Sequence, residues 1–555
     1  MSPCAILRLR RLQLLPPMDV LWNAMLQPWW WGSMTVSAGV VAVTVGIALG
    51  VVQWWMYHPL RNVLPGPRPT SFLLGNALET RGSIASWHTT TAYPEPYLSW
   101  LVQYGPAVYY RELFSHTVML SDPKALQHVL VTHASKYPRH PIIRAYLSDI
   151  VLGKGLVSSE GARHDAHRKL LNPHFTAAQV KSFVPVFEQL TSRCCTSVLE
   201  PAAASNKRLN MAVVLQELTL GIIGRVAFGF DFYAHPEALA AYQKLQMSPS
   251  PLVLIGMFSV PGFMHLPLPS LRQRRAAKAI LANVIADVMK HKLSSSACSK
   301  TDQTTTPGSR DLLDLILADS ATSHSDALTH TMTFMTAGHE TTSTALAWLM
   351  VECARRPHVV AKIRSEVRTL LDAPSPHTTN PLATWEGVHS LKYTTAVINE
   401  TMRFHPVFFQ LMRRLVDADD DVPMLDGSSL FLPKGTSINI LTSAIHLNPQ
   451  TWANPTEFVP ERFLEGSPEW NADAARRGGK SHSFVHMPFS MGSKNCIGQR
   501  FAMAEMVVVI ATFLRHFDFA LTDHANTRDR YNAMTVVPAF LEMSVTRVSA
   551  AAAHR

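Results

Sequence analysis

The sequence predicts a mainly α-helical fold with small β-sheets, preceded by a single transmembrane helix. Three observations predict it. Residues 34–57, MTVSAGVVAVTVGIALGVVQWWMY, carry no charge. Apolar residues at helical spacing fill most of the remaining chain, with the longest run over residues 323–356. The β-type runs are few and short.

In chain order, residues 1–33 read as a leader. Arg8, Arg10 and Arg11, with no acid before Asp19, have the character of a transit peptide, while Met18 offers an alternative start. Both readings stay open. Residues 34–57 are the anchor, about 24 residues and enough for one crossing with some tilt. Trp29, Trp30 and Trp31 flank one end and Trp54 and Trp55 the other, where indole rings favour the membrane–water interface. Within about 20 residues of the span, Arg61 and Arg68 follow it and only Asp19 is charged before it, so the large C-terminal part is expected on the cytosolic side. Residues 58–69 form a hinge. Its Leu64-Pro-Gly-Pro-Arg-Pro69 is stiff, because proline fixes φ and removes donors. Residues 70–548 are one domain without internal repeat or second linker, and 549–555 are a tail.

Within the domain, residues 108–113 and 117–120 are β-type runs around a polar turn, and Asp122 starts a helix to about residue 131. Helical periodicity covers 176–200, 209–228 and 272–292. Residues 294–309, rich in Ser and Thr, read as an exposed loop. The helix over 323–356 is roughly 50 Å long and stops at Pro357. Residues 357–371 and 391–403 are further helices, 430–432 and 437–440 short strands, and 498–516 a long apolar helix followed by strand-like residues.

Of the 555 residues, 47% are apolar and 16% charged, a globular composition rather than a disordered one. A chain of this length can bury a bulky cofactor. The net charge is +10, yet there is no zinc-finger spacing and no isolated Lys/Arg block. The basic balance is therefore assigned to anionic lipid and an acidic protein partner, not to nucleic acid. The six cysteines, Cys4, Cys194, Cys195, Cys298, Cys353 and Cys496, form no C-x-x-C pair and are too sparse for a disulfide scaffold. That usage suits a reducing compartment.

Phe489, Gly492, Lys494, Cys496 and Gly498 fit F-x-x-G-x-[R/K]-x-C-x-G just before the last long helix. A thiol at a helix N-terminus feels the positive end of the dipole, so its pKa is expected to fall. Backbone N–H groups there can bond the sulfur and tune a bound metal. Gly492 permits a tight reversal. Gly498 lets the helix lie close to a flat macrocycle, on which Phe489 can pack. A lone cysteine before a helix is usually a buried structural thiol; the ordered set of five residues argues against that here.

Ala337-Gly-His-Glu-Thr-Thr342 lies in the middle of the longest helix. Glycine inside a helix costs about 1 kcal/mol against alanine, and a Thr hydroxyl can bond a carbonyl three or four residues back. Gly338 and Thr341 are expected to open the helix locally for a small molecule such as dioxygen, with Glu340 relaying protons from water. Phe334, Leu346 and Trp348 mark a buried helix rather than a polar surface one. Glu400 and Arg403, three apart, share a helix face and can pair. Arg462 in Pro460-Glu-Arg-Phe463 offers a second guanidinium, making a structural lock for the chain entering the cysteine loop.

These motifs, in this order, resemble the cytochrome P-450 superfamily, in particular its eukaryotic microsomal members, from the hinge near Leu64 to about residue 548. The resemblance implies a cytochrome P-450 fold around one buried haem b, with Cys496 the axial ligand of the iron. It implies that Thr341 and Glu340 form an acid–alcohol pair. It puts Lys494, His164, Arg168 and Arg413 at the haem propionates, and Ala337, Phe489, Gly492 and Gly498 against the ring. Two positions depart from the family pattern. Lys494 stands where the family usually has Arg, keeping the charge but losing the fork, and His164 stands where it usually has Trp. Substrate contacts are implied in the loop over 138–155, at Met257, Phe258 and Phe263, at Phe334 and Ala337, and over 407–412, including Val407, Phe408 and Met412. Most are apolar, which implies a lipophilic substrate.

The implied activity is a monooxygenase that inserts one atom of dioxygen into a C–H bond or double bond. No G-x-G-x-x-G fingerprint is present and no residues remain for a flavin domain. Electrons are then expected from a separate NADPH–cytochrome P-450 reductase, with cytochrome b5 a further partner, at the endoplasmic reticulum membrane. Two alternatives stand beside this reading. One is a haem-thiolate isomerase or dehydratase that needs no outside electrons; the other is a non-catalytic membrane haem-binding protein. Thr341 and the undistorted cysteine loop weigh against the first, and the intact Glu340–Thr341 pair against the second.

Overall fold

The computed structural model describes residues 42–548 except 48, 51, 53–57, 114, 231–239, 241–252, 254–255, 257–261, 299–310, 319–322, 374–379 and 533. The chain divides into two compact units, Met1–Arg61 and Asn62–Arg555. In the first, residues 42–47, 49–50 and 52 are helical, and Val43, Val45, Ile47 and Leu49 are exposed. The rest of the expected span, the whole of the leader over 1–33 and the tail lie outside the described residues.

In the second unit, short helices over Ala77–Ser86 and Tyr97–Tyr104 lead into a hairpin, β1 (Ala107–Glu112) and β2 (Ser115–Leu120), antiparallel with Ala107 opposite Leu120. A short helix capped by Asp122, Pro123–Gln127, extends through a further turn over His128–Thr132, and then come α1 (Pro141–Ile150), α2 (Gly161–Leu171) and α3 (Ala177–Cys194). The Thr176 side chain caps α3 by accepting from the Gln179 N–H, leaving one fewer unpaired donor in its first turn. Helix α4 (Met211–Phe228) starts on an Asn210 cap and ends at Gly229, whose φ of 61° suits a residue without Cβ. Helix α5 (Pro269–Cys298) is followed by α6 (His324–Arg355), the longest at 32 residues. Ser323 caps α6, and Arg356 leaves helical geometry because Pro357 follows. Pro357 then opens α7 (Pro357–Asp372), and α8 (Lys392–Phe404) ends at His405, again before a proline. Strands β3 (Arg414–Leu415) and β4 (Ser437–Asn439) precede α9 (Gln499–His516) and a last hairpin, β5 (Asn526–Asn532) and β6 (Thr535–Phe540).

The largest sheet has the order β1-β2-β4-β3, with β2 parallel to β4 and β3 antiparallel to it. Residues Glu542–Arg547 pair with Phe517–Leu521 and with Leu209–Asn210 in a second sheet. The fold is thus helices with small sheets, as the apolar periodicity predicts. Helix α4 lies along α6, and α9 packs on α3, α7 and α8. Among the described residues, α4 is the one helix long and apolar enough to cross a membrane, but it belongs to the core.

One boundary differs from expectation. Helix α5 continues to Cys298, so the start of the Ser-rich stretch is helical rather than loop. Serine is only a mediocre helix former, not a breaker. The preceding turn is also anchored, since Lys292 Nζ donates to Asp314 Oδ1 at 2.8 Å.

Candidate active site

The cysteine loop is shaped by two glycines and one backbone bond. The Cys496 N–H donates to Phe489 O at 2.8 Å, folding the loop back on itself. Gly492 sits at φ 79°, and a Cβ there would lie 1.9 Å from Leu130 O, so no other residue fits. At Gly498 a Cβ would stand 4.0 Å from Cys496 Sγ, and the Gly498 N–H bonds the sulfur. Cys496 lies deep among protein atoms, yet its side chain keeps accessible surface.

The Cys496 thiol does not have the lowered pKa expected from its place before α9. Burial pushes it up, against the pull of the Gly498 N–H and the Arg168 charge. Desolvation of a thiolate outweighs one helix end. A coordinated metal would remove the proton outright.

The basic residues divide unevenly around this loop. Arg168 on α2 donates to Asn495 O and Asn495 Oδ1, both at 2.7 Å, and so ties α2 to the residue before Cys496. His164, buried on the same helix, bonds Asp165 Oδ1 through Nδ1 at 3.0 Å. Burial lowers its pKa. Lys494 pairs with Glu160, which also accepts from Arg139 N and Nη1, each at 3.1 Å. Burial, with the charges of Arg414 and Arg139, brings the Lys494 ammonium down to about 8 despite Glu160.

Arg413 is committed elsewhere. Its Nη2 donates to Glu112 Oε2 at 2.8 Å, in a group that includes Thr80 and Arg81. The next residue, Arg414, feels the charges of Arg139 and Glu160, and its Nε is buried without a partner. Adjacent residues of an extended chain point to opposite sides, so Arg413 and Arg414 serve different clusters. Buried Arg139 and Arg414 and half-buried Lys494 thus set three cations against the one carboxylate of Glu160. This excess of positive charge, an unpaired guanidinium N–H and an accessible thiol fit a haem with anionic propionates.

Helix α6 contributes the other half. Ala337 is exposed although most of the helix around it is buried. Thr341 Oγ1 donates to Ala337 O at 2.7 Å, the four-back bond expected of it. The helix runs unbroken through these residues, so the expected local opening is absent. Gly338 has a packing role instead: a Cβ there would approach Ile223 Cδ1 of α4 to 3.0 Å. Glu340 Oε1 accepts from Thr535 Oγ1 at 2.9 Å and from Asn532 Nδ2 at 3.4 Å, both on the last hairpin. Burial raises the pKa of Glu340 and these two bonds moderate the rise.

Among the implied substrate contacts, Val407, Phe408 and Met412 are half-buried. Phe334 is turned into the core, 5.2 Å from the Phe175 ring, so it has little surface to offer a substrate. Phe258 and Met257 lie outside the described residues. Glu400, Arg403 and Arg462 come together: Arg403 bonds both Glu400 oxygens and Arg462 Nε reaches Oε1 at 3.2 Å. Asp473 completes the cluster, accepting from Arg462 Nη1 at 2.7 Å. No sequence signal marked Asp473, Arg414, Thr535 or Asn532.

Comparison with known proteins agrees with this geometry. Residues 65–543 match the family Cytochrome P-450. The chain is 27% identical to cytochrome P-450 monooxygenase FSL4 of Gibberella zeae, covering 88% of this chain and 89% of that protein. It is 30% identical to cytochrome P-450 monooxygenase 128 of Postia placenta, covering 83% and 86%. It is 27% identical to cytochrome P-450 4F6 of Rattus norvegicus, covering 88% and 89%.

Proposed function

This chain belongs to the cytochrome P-450 family, an oxidoreductase of the monooxygenase class, and from that premise we propose that it oxygenates a lipophilic substrate at a C–H bond or double bond, using electrons from a separate NADPH reductase. The observation that carries the reading is Cys496: a thiol deep in the fold, still accessible, bonded by the Gly498 N–H and facing the Arg168 charge. Haem b held through Cys496 would supply the iron that activates dioxygen, with electron donation from the thiolate.

Each neighbouring residue has a task in that reading. Arg139, Arg414 and Lys494 would hold the propionates, and Arg168 holds the loop through Asn495. Phe489 would pack near the ring. Ala337, exposed and with a single methyl as its side chain, would leave space beside it. Thr341, with its proton directed to Ala337 O, keeps lone pairs free to accept a bond. Glu340, its pKa raised by burial, holds a proton that can be passed on and regained from water. Val407, Phe408 and Met412 offer apolar surface to a lipophilic substrate, and Phe258 is a further candidate from sequence.

Residues 34–57 would anchor the protein in the endoplasmic reticulum membrane with the catalytic domain in the cytosol. The exposed Val43, Val45, Ile47 and Leu49 support this, since unpartnered apolar helix surface suits lipid. A net charge of +10 suits docking to an acidic reductase, weakened by salt, and cytochrome b5 is a second donor of the same kind.

The test is reconstitution with NADPH and a microsomal reductase under isotopically labelled dioxygen, against a panel of lipophilic substrates. One labelled oxygen atom per product, dependent on both NADPH and reductase, is expected. Conversion of lipid hydroperoxides without reductase would favour the isomerase reading instead.

A further inference from the structure

We propose that Thr535, assisted by Asn532, is a positioning residue for proton delivery: the last hairpin holds one oxygen of Glu340 and leaves the other to carry the proton. This rests on the reading of Glu340 as the proton carrier.

Both donors from the hairpin act on the same atom. Thr535 Oγ1 reaches Glu340 Oε1 at 2.9 Å and Asn532 Nδ2 reaches it at 3.4 Å. Oε2 has no protein hydrogen-bond partner among the described residues. A carboxyl group with one oxygen held cannot rotate freely, so Oε2 is kept on the side away from the hairpin. The only bonds that change are O–H bonds. The acid gives up the proton on Oε2, and the carboxylate takes one back from water.

The hairpin can hold its place because it is itself pinned. Thr535 is 1% exposed. The next residue, Val536, accepts from Trp348 Nε1 at 2.8 Å and donates its N–H to Val407 O at 2.9 Å. Trp348 lies on α6, two helical turns beyond Glu340, and is stacked on His405 at 3.9 Å between ring centroids. Helix α6 and strand β6 are therefore joined at two points, Glu340–Thr535 and Trp348–Val536. A short hydroxyl donor at 535 spans the gap, where valine would fill the same volume without donating.

The test compares full-length Thr535→Val, Thr535→Ser and Glu340→Gln with the unaltered enzyme, all loaded with haem and supplied with reductase. The readouts are product formed per NADPH consumed, and the solvent deuterium isotope effect on kcat. Thr535→Val is expected to lower coupling about fivefold, the scale of one hydrogen bond, and to change the isotope effect. Thr535→Ser should restore both, and the carbon-monoxide spectrum should be the same in all. Should Thr535→Val not fold, Thr535→Ala removes the hydroxyl without adding bulk and decides the matter in the same way. Uncoupling by Glu340→Gln, with Thr535→Val coupling like the unaltered enzyme, would overturn the positioning role alone. Normal coupling in Glu340→Gln would overturn Glu340 as carrier, and the positioning role with it.

Discussion

Glu400 and Arg403 are joined by two parallel hydrogen bonds, Arg403 Nε to Oε2 at 2.7 Å and Nη2 to Oε1 at 2.8 Å, with neither side chain accessible. The remaining N–H groups of Arg403 go to the backbone oxygens of His446, Pro455 and Glu457. Arg462 reaches the same Glu400 oxygen and is in turn paired with Asp473. One side-chain pair on α8 thereby organises the irregular chain that leads toward the cysteine loop.

Removing one member of such a pair leaves a buried charge uncompensated. Glu400→Ala is expected to cost about 3–5 kcal/mol, and Arg403→Lys nearly as much, because a point charge cannot replace the fork. Denaturant midpoints measure this. A loss below about 1 kcal/mol would mean that the pair behaves like a surface contact.

The glycines separate by what surrounds them. Gly338→Ala puts a methyl 3.0 Å from the flexible end of Ile223, while alanine gains about 1 kcal/mol of helix propensity. The net change should be small. Gly492→Ala meets the Leu130 carbonyl at 1.9 Å and holds φ at 79°. Backbone cannot yield as a side chain can, so loss of haem retention and a lowered Tm are expected there alone. Equal Tm shifts in the two variants would contradict this.

His446, His482 and His486 lie near Arg403, Arg462 and Arg477, with Asp473 the facing acid and the His446 and His486 rings 5.3 Å apart. Burial holds His446 at about 3 and His482 at about 4, and His486 well below its ordinary value. All three are neutral when folded and take up protons when unfolded. Their contribution is complete above the unfolded value of about 6.5 and is lost as pH falls toward their folded values, at most about 1.4 kcal/mol per pH unit for each. Tm should fall steeply between pH 6.5 and about 4, and His486→Phe should flatten that limb. A Tm unchanged across this range would exclude the mechanism.

Thr341→Ala removes a hydroxyl while its helix stays intact, since the bond lost is only the one back to Ala337 O. Haem content should be unchanged and NADPH oxidation should yield hydrogen peroxide in place of product. Unaltered coupling would remove Thr341 from proton delivery.

Local signals were legible in the sequence and distant pairings were not. Ser323 and Pro357 bracket α6 because a cap and a proline act on their own neighbours. Glu400 and Arg403 were readable because three residues span one helix face. The Thr535 contact joins positions 195 apart, and nothing near either residue signals the other. Arg414 carried no signal of its own because the side it faces depends on the partners of a two-residue strand. Gly338 was misread for a related reason: its demand comes from Ile223 on another helix, not from its own. The thiol pKa was misjudged because burial, a tertiary quantity, exceeds the helix end that the sequence displays.

The most direct measurement is the spectrum of the reduced, carbon-monoxide-bound protein, recorded with and without Cys496→His. The long-wavelength band of a thiolate-ligated haem is expected in the unaltered protein and should vanish in the variant. A protein purified without porphyrin, or a band that survives the substitution, would contradict axial ligation by Cys496.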